Sequence, residues 1–144
     1  MNLITKHSDY AVRALCVLAD RQAAGFVSSS ELAGADGIPL RFLRRILRGL
    51  MQAGYIRSRE GVSGGVCLAR RPEQITVADV IRLFQGPLKL SQCMFRRRLC
   101  ARRATCVLRR HIIAVEECVN REFQSVTIAD LCREQRATEK GRNV

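Results

Sequence analysis

Residues 40 to 50 constrain this chain more tightly than any other stretch. Leu40, Leu43, Ile46, Leu47 and Leu50 recur at spacings of three and four, while Arg41, Arg44, Arg45 and Arg48 fill the remaining arc. That period predicts a helix with one apolar stripe and one strongly basic face. Pro39 suits its first position, because the fixed φ of proline matches a helix and its missing N–H is not needed there. The helix should run to about Ala53 and close at Gly54. Upstream, Ser28 and Glu31 stand at capping-box spacing before Leu32 and Ala33, which predicts a second, short helix, and Gly34, Asp36 and Gly37 supply a tight turn. Downstream, residues 55–59 and 66–70 read as two short strands around the glycine-rich run 60–65, hence a β-hairpin.

A helix, a turn, a basic helix and a basic hairpin in one continuous stretch from Ser28 to Arg71 form the pattern of a winged helix-turn-helix. Its physics suits duplex DNA, since the major groove admits one helix, arginines pair bidentately with guanine edges, and a hairpin can follow the neighbouring backbone. Residues 41–71 hold eight arginines against the single acid Glu60. Arg41, Arg44 and Arg45 lie near the start of the basic helix and are the candidate base readers. Arg59 is a candidate phosphate contact, and Ser30 and Gly64 complete the DNA-binding set. A lone basic run is usually a solvated face; here it coincides with a DNA-binding motif.

Charge agrees with that partner. The 144 residues carry 25 Lys and Arg against 13 Asp and Glu, a formal +12, and such a surplus on a short chain favours polyanions. Trp is absent and aromatics are few, which disfavours a stacking platform for single strands. The best N-terminal apolar stretch, residues 10–19, is short and interrupted by Arg13, so neither a signal peptide nor a membrane span is expected and the protein should be cytoplasmic. With no nucleophile at a recognisable elbow and a glycine pair outside any strand-to-helix setting, nothing supports an enzyme.

Around this unit, a first helix is expected from Ser8, as N-cap, to about Arg21, with Ala11, Ala14, Leu15 and Leu18 inward. Residues 76–85 predict another, with Thr76 and Asp79 at capping-box-like spacing and Val80, Ile81 and Phe84 inward, ended by Gly86 and Pro87. Residues 1–86 therefore form the DNA-binding unit. The segment 87–105, with arginines at 96–98 and 102–103, has no period and reads as a loop with a task. Residues 106–123 return to helical period, with Leu108, Ile112, Val115 and Val119 on one stripe; a long helix after a complete small unit predicts a homodimer joined through 106–132. Residues 127–132 suggest a last turn of helix, and 133–144 a charged, disordered tail.

Seven cysteines are many for this length, yet the number is odd, which opposes a disulfide framework. Cys93, Cys100 and Cys106 share one polar, arginine-rich loop that favours thiolates and so metal binding. They make a ligand set short by one, open to an iron-sulfur cluster, zinc or cluster-free thiol sensing. Cys16 and Cys67 fall in apolar patterns and read as core; Cys118 and Cys132 read as incidental. His7 and His111 are the only histidines.

The whole order resembles the IscR, NsrR and CymR group of winged-helix bacterial regulators over about residues 1–132. The resemblance is carried by Lys6-His-Ser-Asp-Tyr-Ala-Val-Arg-Ala-Leu15, Ile38-Pro-Leu-Arg-Phe-Leu-Arg-Arg-Ile-Leu47, the wing Arg59-Glu-Gly-Val-Ser-Gly-Gly65, Ile75-Thr-Val-Ala-Asp-Val80 and the three cysteines. It implies a homodimer, palindromic operators and a cluster, of two or four irons, held by three Cys and one non-Cys ligand. Asp9 matches the position of the carboxylate ligand in NsrR-like members. Arg109 stands where IscR-like proteins place a ligand histidine, leaving His7 and His111 as alternatives to Asp9. Glu60 replaces an Arg of some relatives and Val66 a common aromatic, and the first gap between the cysteines is one residue longer than in the nearest types. The implied function is a regulator, a repressor first, that answers to nitric oxide, redox state or cluster supply. The rivals are a cluster-free thiol or zinc regulator and an electron-transfer iron-sulfur protein.

Overall fold

The computed structural model describes residues 3–90, 100 and 103–142, and it is mainly helical. Helix α1 (Lys6–Asp20) is followed by a 3-10 turn, α2 (Ser29–Asp36), α3 (Leu40–Gln52), strands β1 (Ile56–Arg59) and β2 (Gly65–Leu68), a second 3-10 turn, α4 (Val77–Gln85), α5 (Val107–Ser125) and α6 (Ile128–Arg142). This is the winged helix-turn-helix expected from the sequence, with the wing as a two-stranded antiparallel hairpin pairing Ile56 with Leu68 and Arg59 with Gly65.

The local reasons are largely those the sequence shows. Ser28 and Glu31 form a capping box at the start of α2, and Gly37 closes that helix in the left-handed conformation at φ 62°. A second box, Thr76 with Asp79, opens α4. Pro39 sits at the N-cap of α3, one residue outside the position expected, and its carbonyl accepts from the Leu43 N–H at 3.0 Å. The stripe Leu43, Ile46, Leu47 and Leu50 is buried, joining Ala11, Ala14, Leu15, Leu32, Ile75 and Val80 in one core.

Three expectations need correction. Helix α1 is capped by Thr5, not Ser8; the Thr5 hydroxyl accepts from the Ser8 N–H at 3.3 Å. Ser8 itself is fully buried and donates through Oγ to Gln85 Oε1 at 2.8 Å. Cys67 is half-buried rather than core, and accepts a 3.2 Å hydrogen bond from Arg57 Nε. Finally, the chain does not become a tail at 133, for α6 continues to Arg142. Thr127 and Asp130 cap its start reciprocally, the Thr127 hydroxyl donating at 2.6 Å and so holding the Asp130 carboxyl below its ordinary range. Ile128 and Cys132 enter the main core, and the Arg136 guanidinium clamps Asp20 at the end of α1. Helix α6 is therefore fastened to α1 along its inner face, which charge composition alone does not reveal.

The wing is anchored by a third extended residue. Val27 and Val66 exchange backbone hydrogen bonds of 2.9 and 2.8 Å, so the approach to α2 lies directly against β2. Gly65 is what permits this: its φ is +150°, and a Cβ there would stand 2.3 Å from the Val27 carbonyl oxygen. Gly65→Ala should lower stability by roughly 2–4 kcal/mol, the scale of a strained backbone with a steric clash. Thermal unfolding monitored by circular dichroism measures it; a change below about 0.5 kcal/mol would show that the wing is not pinned to Val27.

Candidate nucleic-acid interface and cysteine segment

Arg41, Arg44, Arg45 and Arg48 are all exposed on α3, on the side opposite its buried stripe. They line a broad groove of about 950 Å³ with Leu40 and Phe42. None of the four forms an ion pair among the described residues, so their charge faces outward unopposed. Phe42 is 41% exposed in the middle of this basic surface. Its ring is supported from behind by α1, with His7 at 5.3 Å and Tyr10 at 6.2 Å.

A second groove, about 450 Å³, runs between α2, α3 and the wing and is lined by Ser28, Arg44, Arg59, Gly61 and Gly64 among others. Ser30 is exposed at the start of α2. Arg59 is held in place twice: Nη2 donates to the Ser63 carbonyl at 2.8 Å, and its guanidinium lies 4.3 Å from the centre of the Phe26 ring. Arg57 approaches the same ring at 5.9 Å. Phe26 was invisible to periodicity because it lies just after Gly25, outside any helix or strand pattern. Gly64 has a structural duty, since a Cβ there would meet the Arg59 carbonyl oxygen at 2.4 Å. Of the residues expected from the sequence, Ser30, Arg41, Arg44, Arg45, Arg59 and Gly64 all fall on the surface formed by α2, α3 and the wing.

The cysteines divide differently. Cys93 lies outside the described residues. Cys100 and Cys106 are half-buried free thiols on either side of a turn, in which the Cys100 carbonyl accepts from the Arg103 N–H at 3.0 Å. Cys106 occupies the N-cap of α5, where negative charge interacts favourably with the helix. Asp9 is exposed on the first turn of α1 and pairs with Arg13 at 3.3 Å, and Arg13 also reaches Asp36 at 3.6 Å. Within one chain, the described residues bring no three His, Cys, Asp or Glu side chains together as a metal site. His111 is exposed on α5; Nε2 of His7 is buried without a hydrogen-bond partner.

Cys16 and Cys132 meet where α6 crosses α1, the Cys132 thiol lying 3.7 Å from the Cys16 carbonyl. Burial, and secondarily the Cys132 neighbour, push the Cys16 thiol far up; burial, followed by the nearby Asp20, also raises Cys132. Both stay protonated and unreactive at neutral pH. Cys118, by contrast, is exposed on α5.

The family described as Rrf2, iron-dependent transcriptional regulator, matches residues 4–134. The protein rrf2 of Nitratidesulfovibrio vulgaris is 31% identical over 131 residues, which cover 91% of this chain and 87% of that one. Among solved structures, T. potens IscR superposes with a TM-score of 0.74 at 27% identity, over 92% of this chain and 87% of its own. CymR of B. subtilis superposes at 0.76 and 24% identity, over 93% and 98%, and supports the fold. No helix among the described residues is long and apolar enough to cross a membrane.

The contrast among thiols is measurable. Under native, reducing conditions iodoacetamide should alkylate Cys118 quickly, while Cys16 and Cys132 react only after denaturation, as mass spectrometry of timed digests would show. Equal labelling of Cys16 and Cys118 in the native protein would contradict the packing of α6 on α1.

Proposed function

The chain belongs to the Rrf2 family of transcriptional regulators, and from that premise we propose that it is a homodimeric DNA-binding repressor, acting in the cytoplasm, whose operator affinity is set by an iron-sulfur cluster. The observation that carries the reading is the row of arginines on α3, none in an ion pair among the described residues, beside an arginine-bearing wing held against Val27. Arg41, Arg44 and Arg45 address base edges in the major groove, where a guanidinium pairs bidentately with guanine. Ser30, Arg59 and Gly64 position the protein on the backbone, which sets register without reading sequence.

Dimerisation follows from α5. No residue of that helix is buried within one chain, and Val107, Leu108 and Val115 are each more than half exposed. A second copy supplies the apolar cover, and a two-fold dimer reads a palindromic operator with half-sites about one turn, roughly 34 Å, apart. Residues 1–86 make the reading unit, 87–105 the cluster segment and α5 the dimer contact.

Cys93, Cys100, Cys106 and Asp9 would hold the cluster. The donor chemistry fits: Cys100 and Cys106 are free and half-exposed, Cys106 sits at the N-cap of α5, and the Asp9 carboxylate is accessible. When bound, a cluster of two or four irons supplies an electron-accepting centre whose potential depends on its ligands and surroundings. Asp9 is the hard, exchangeable member of the set; its pairing with Arg13 means that ligation and the ion pair compete for the same oxygens. Nitric oxide, redox state and cluster supply are the signals that this chemistry admits.

Protein purified without oxygen should contain iron and acid-labile sulfide and show a visible spectrum, which Cys106→Ala abolishes and Asp9→Ala alters. Operator binding with neither iron nor sulfide would leave a thiol or zinc regulator, and a cluster without sequence-specific binding would leave an electron-transfer protein. An unchanged spectrum in Asp9→Ala, with a changed one in His7→Ala or His111→Ala, would move the fourth ligand to that histidine.

Arg41→Ala and Arg44→Ala should each cost about 1–3 kcal/mol, roughly five- to 150-fold, at particular base pairs. Arg59→Ala should weaken all sequences alike and lower the salt slope by about one. Quantitative operator titrations check both. Intact affinity in both α3 variants would remove α3 from the groove, and a monomer by light scattering at operator-binding concentrations would remove the dimer.

A further inference from the structure

Phe42 is the one large apolar side chain of α3 that stands exposed. It lies on the first turn of the helix, and the groove around it is lined by Leu40 and by the guanidiniums of Arg41, Arg44, Arg45 and Arg48. Arg45, three residues on, is its neighbour on the helix surface. Two rings of α1 back it from behind: His7, tilted by 46° at 5.3 Å, and Tyr10, edge-on at 75° and 6.2 Å. So supported, the Phe42 ring has little freedom left to lose when something covers its outer side. The surface as a whole favours a polyanion, yet this ring offers an anion nothing. It has no hydrogen to donate, so it contributes to binding only by covering an apolar group.

A base pair in the major groove presents one such group. Guanidiniums recognise acceptors, the O6 and N7 of guanine or the O4 of thymine, whereas the C5-methyl of thymine is met by an apolar side chain. Side chains three apart on a helix stand roughly 5–6 Å from each other at Cβ, and successive bases of one strand roughly 3.4 Å, so contacts from Arg45 and Phe42 fall on the same or adjoining base steps. We propose that Phe42 is a specificity-determining residue that covers the C5-methyl of one thymine beside the base pair addressed by Arg45. The inference rests on α3 lying in the major groove, as proposed above, and adds a preference for thymine on one strand that arginines alone do not supply.

A duplex enriched from a random library by the wild-type protein serves as the probe. Each of its thymines is replaced in turn by deoxyuridine, which removes the methyl and keeps every hydrogen-bonding group. One replacement should weaken wild-type binding about fourfold, the factor that burial of a methyl-sized group is worth. The same replacement should change the affinity of Phe42→Ala by no more than about twofold, whereas Arg59→Ala, altered in the distant wing, should keep the full loss. Circular dichroism verifies that Phe42→Ala is folded, and a second measurement needs no variant. With 5-iododeoxyuridine at the sensitive position, iodine stands where the methyl was, and irradiation should crosslink the wild-type protein at Phe42, as mass spectrometry of the digest would show. Uracil tolerated at every position, an undiminished loss in folded Phe42→Ala, or a crosslink to another residue alone overturns the proposal. If Arg41→Ala and Arg44→Ala still weaken binding in those cases, the reading of α3 stands and only the role of Phe42 falls. If they do not, or if the library yields no preferred sequence, both fall together.

Discussion

Helix α1 is the wall on which the reading unit is assembled. Helices α2, α3, α4 and α6 all pack on it, whereas α5 packs on α4. Ala11 and Ala14 have no exposed surface, and their small side chains allow the neighbouring helices to approach closely, while Leu15 fills the centre between them. A fully buried leucine is worth roughly 1.5–3 kcal/mol, and a methylene added at either alanine would have to displace packed helices rather than solvent. The direction in which α3 presents its arginines is thus decided by α1, a helix that carries none of the proposed base-reading residues itself.

Several acidic residues are spent on structure, whereas the arginines of α3 form no ion pair among the described residues. Glu31, Asp79 and Asp130 close capping boxes or their equivalents at the starts of α2, α4 and α6. Asp20 fastens α6 through Arg136, and Asp9 and Asp36 share Arg13. Among the described residues no acid pairs with the arginines of α3, so their positive potential is left to solvent and salt. Such a surface suits any duplex through counterion release; in the proposed reading, specificity comes from Arg41, Arg44 and Arg45.

What could be read from the sequence was what is local. The period of α3, the boxes at Ser28 and Thr76 and the glycines of the wing each act over a few residues, and each placed its element within a residue or two. Misplacements occurred where partners are far apart in the chain. Ser8 looks like an N-cap until Gln85, 77 residues away, draws its hydroxyl into the core. Residues 133–142 look like a solvated tail until Asp20, 116 residues before Arg136, supplies the anchor. Cys132 looks incidental until α6 lays it on Cys16. The candidate DNA face was legible because its residues sit on one helix and one hairpin. Cys93, Cys100 and Cys106 share one polar stretch of sequence, but spacing does not encode which distant groups come to lie beside them, and Cys93 falls outside the described residues.

The same long-range contacts decide how a cysteine segment could speak to a reading helix. That segment leaves α4 directly after Gln85, whose Oε1 accepts from the Thr5 N–H at 2.9 Å and the Ser8 hydroxyl at 2.8 Å, and whose Nε2 donates to the Leu3 carbonyl at 2.9 Å. Those bonds fix the first turn of α1, which also bears Asp9 and supports Phe42 of α3 through His7 and Tyr10. Further along, Glu116 of α5 accepts from the Leu90 N–H at 2.9 Å, so the near end of the segment is tied to the proposed dimer helix as well. A chain of contacts carries coupling only if some element in it has two arrangements. Apolar packing against Ala11 and Leu15 is close-fitting and offers one, and the Ser8 hydroxyl bonded to Gln85 is buried with it; the exposed Asp9–Arg13 pair can exchange its partners for water at little net cost. In the proposed reading, the Asp9–Arg13 pair is therefore the contact that ligation of Asp9 would exchange, at the turn of α1 that supports Phe42 of α3.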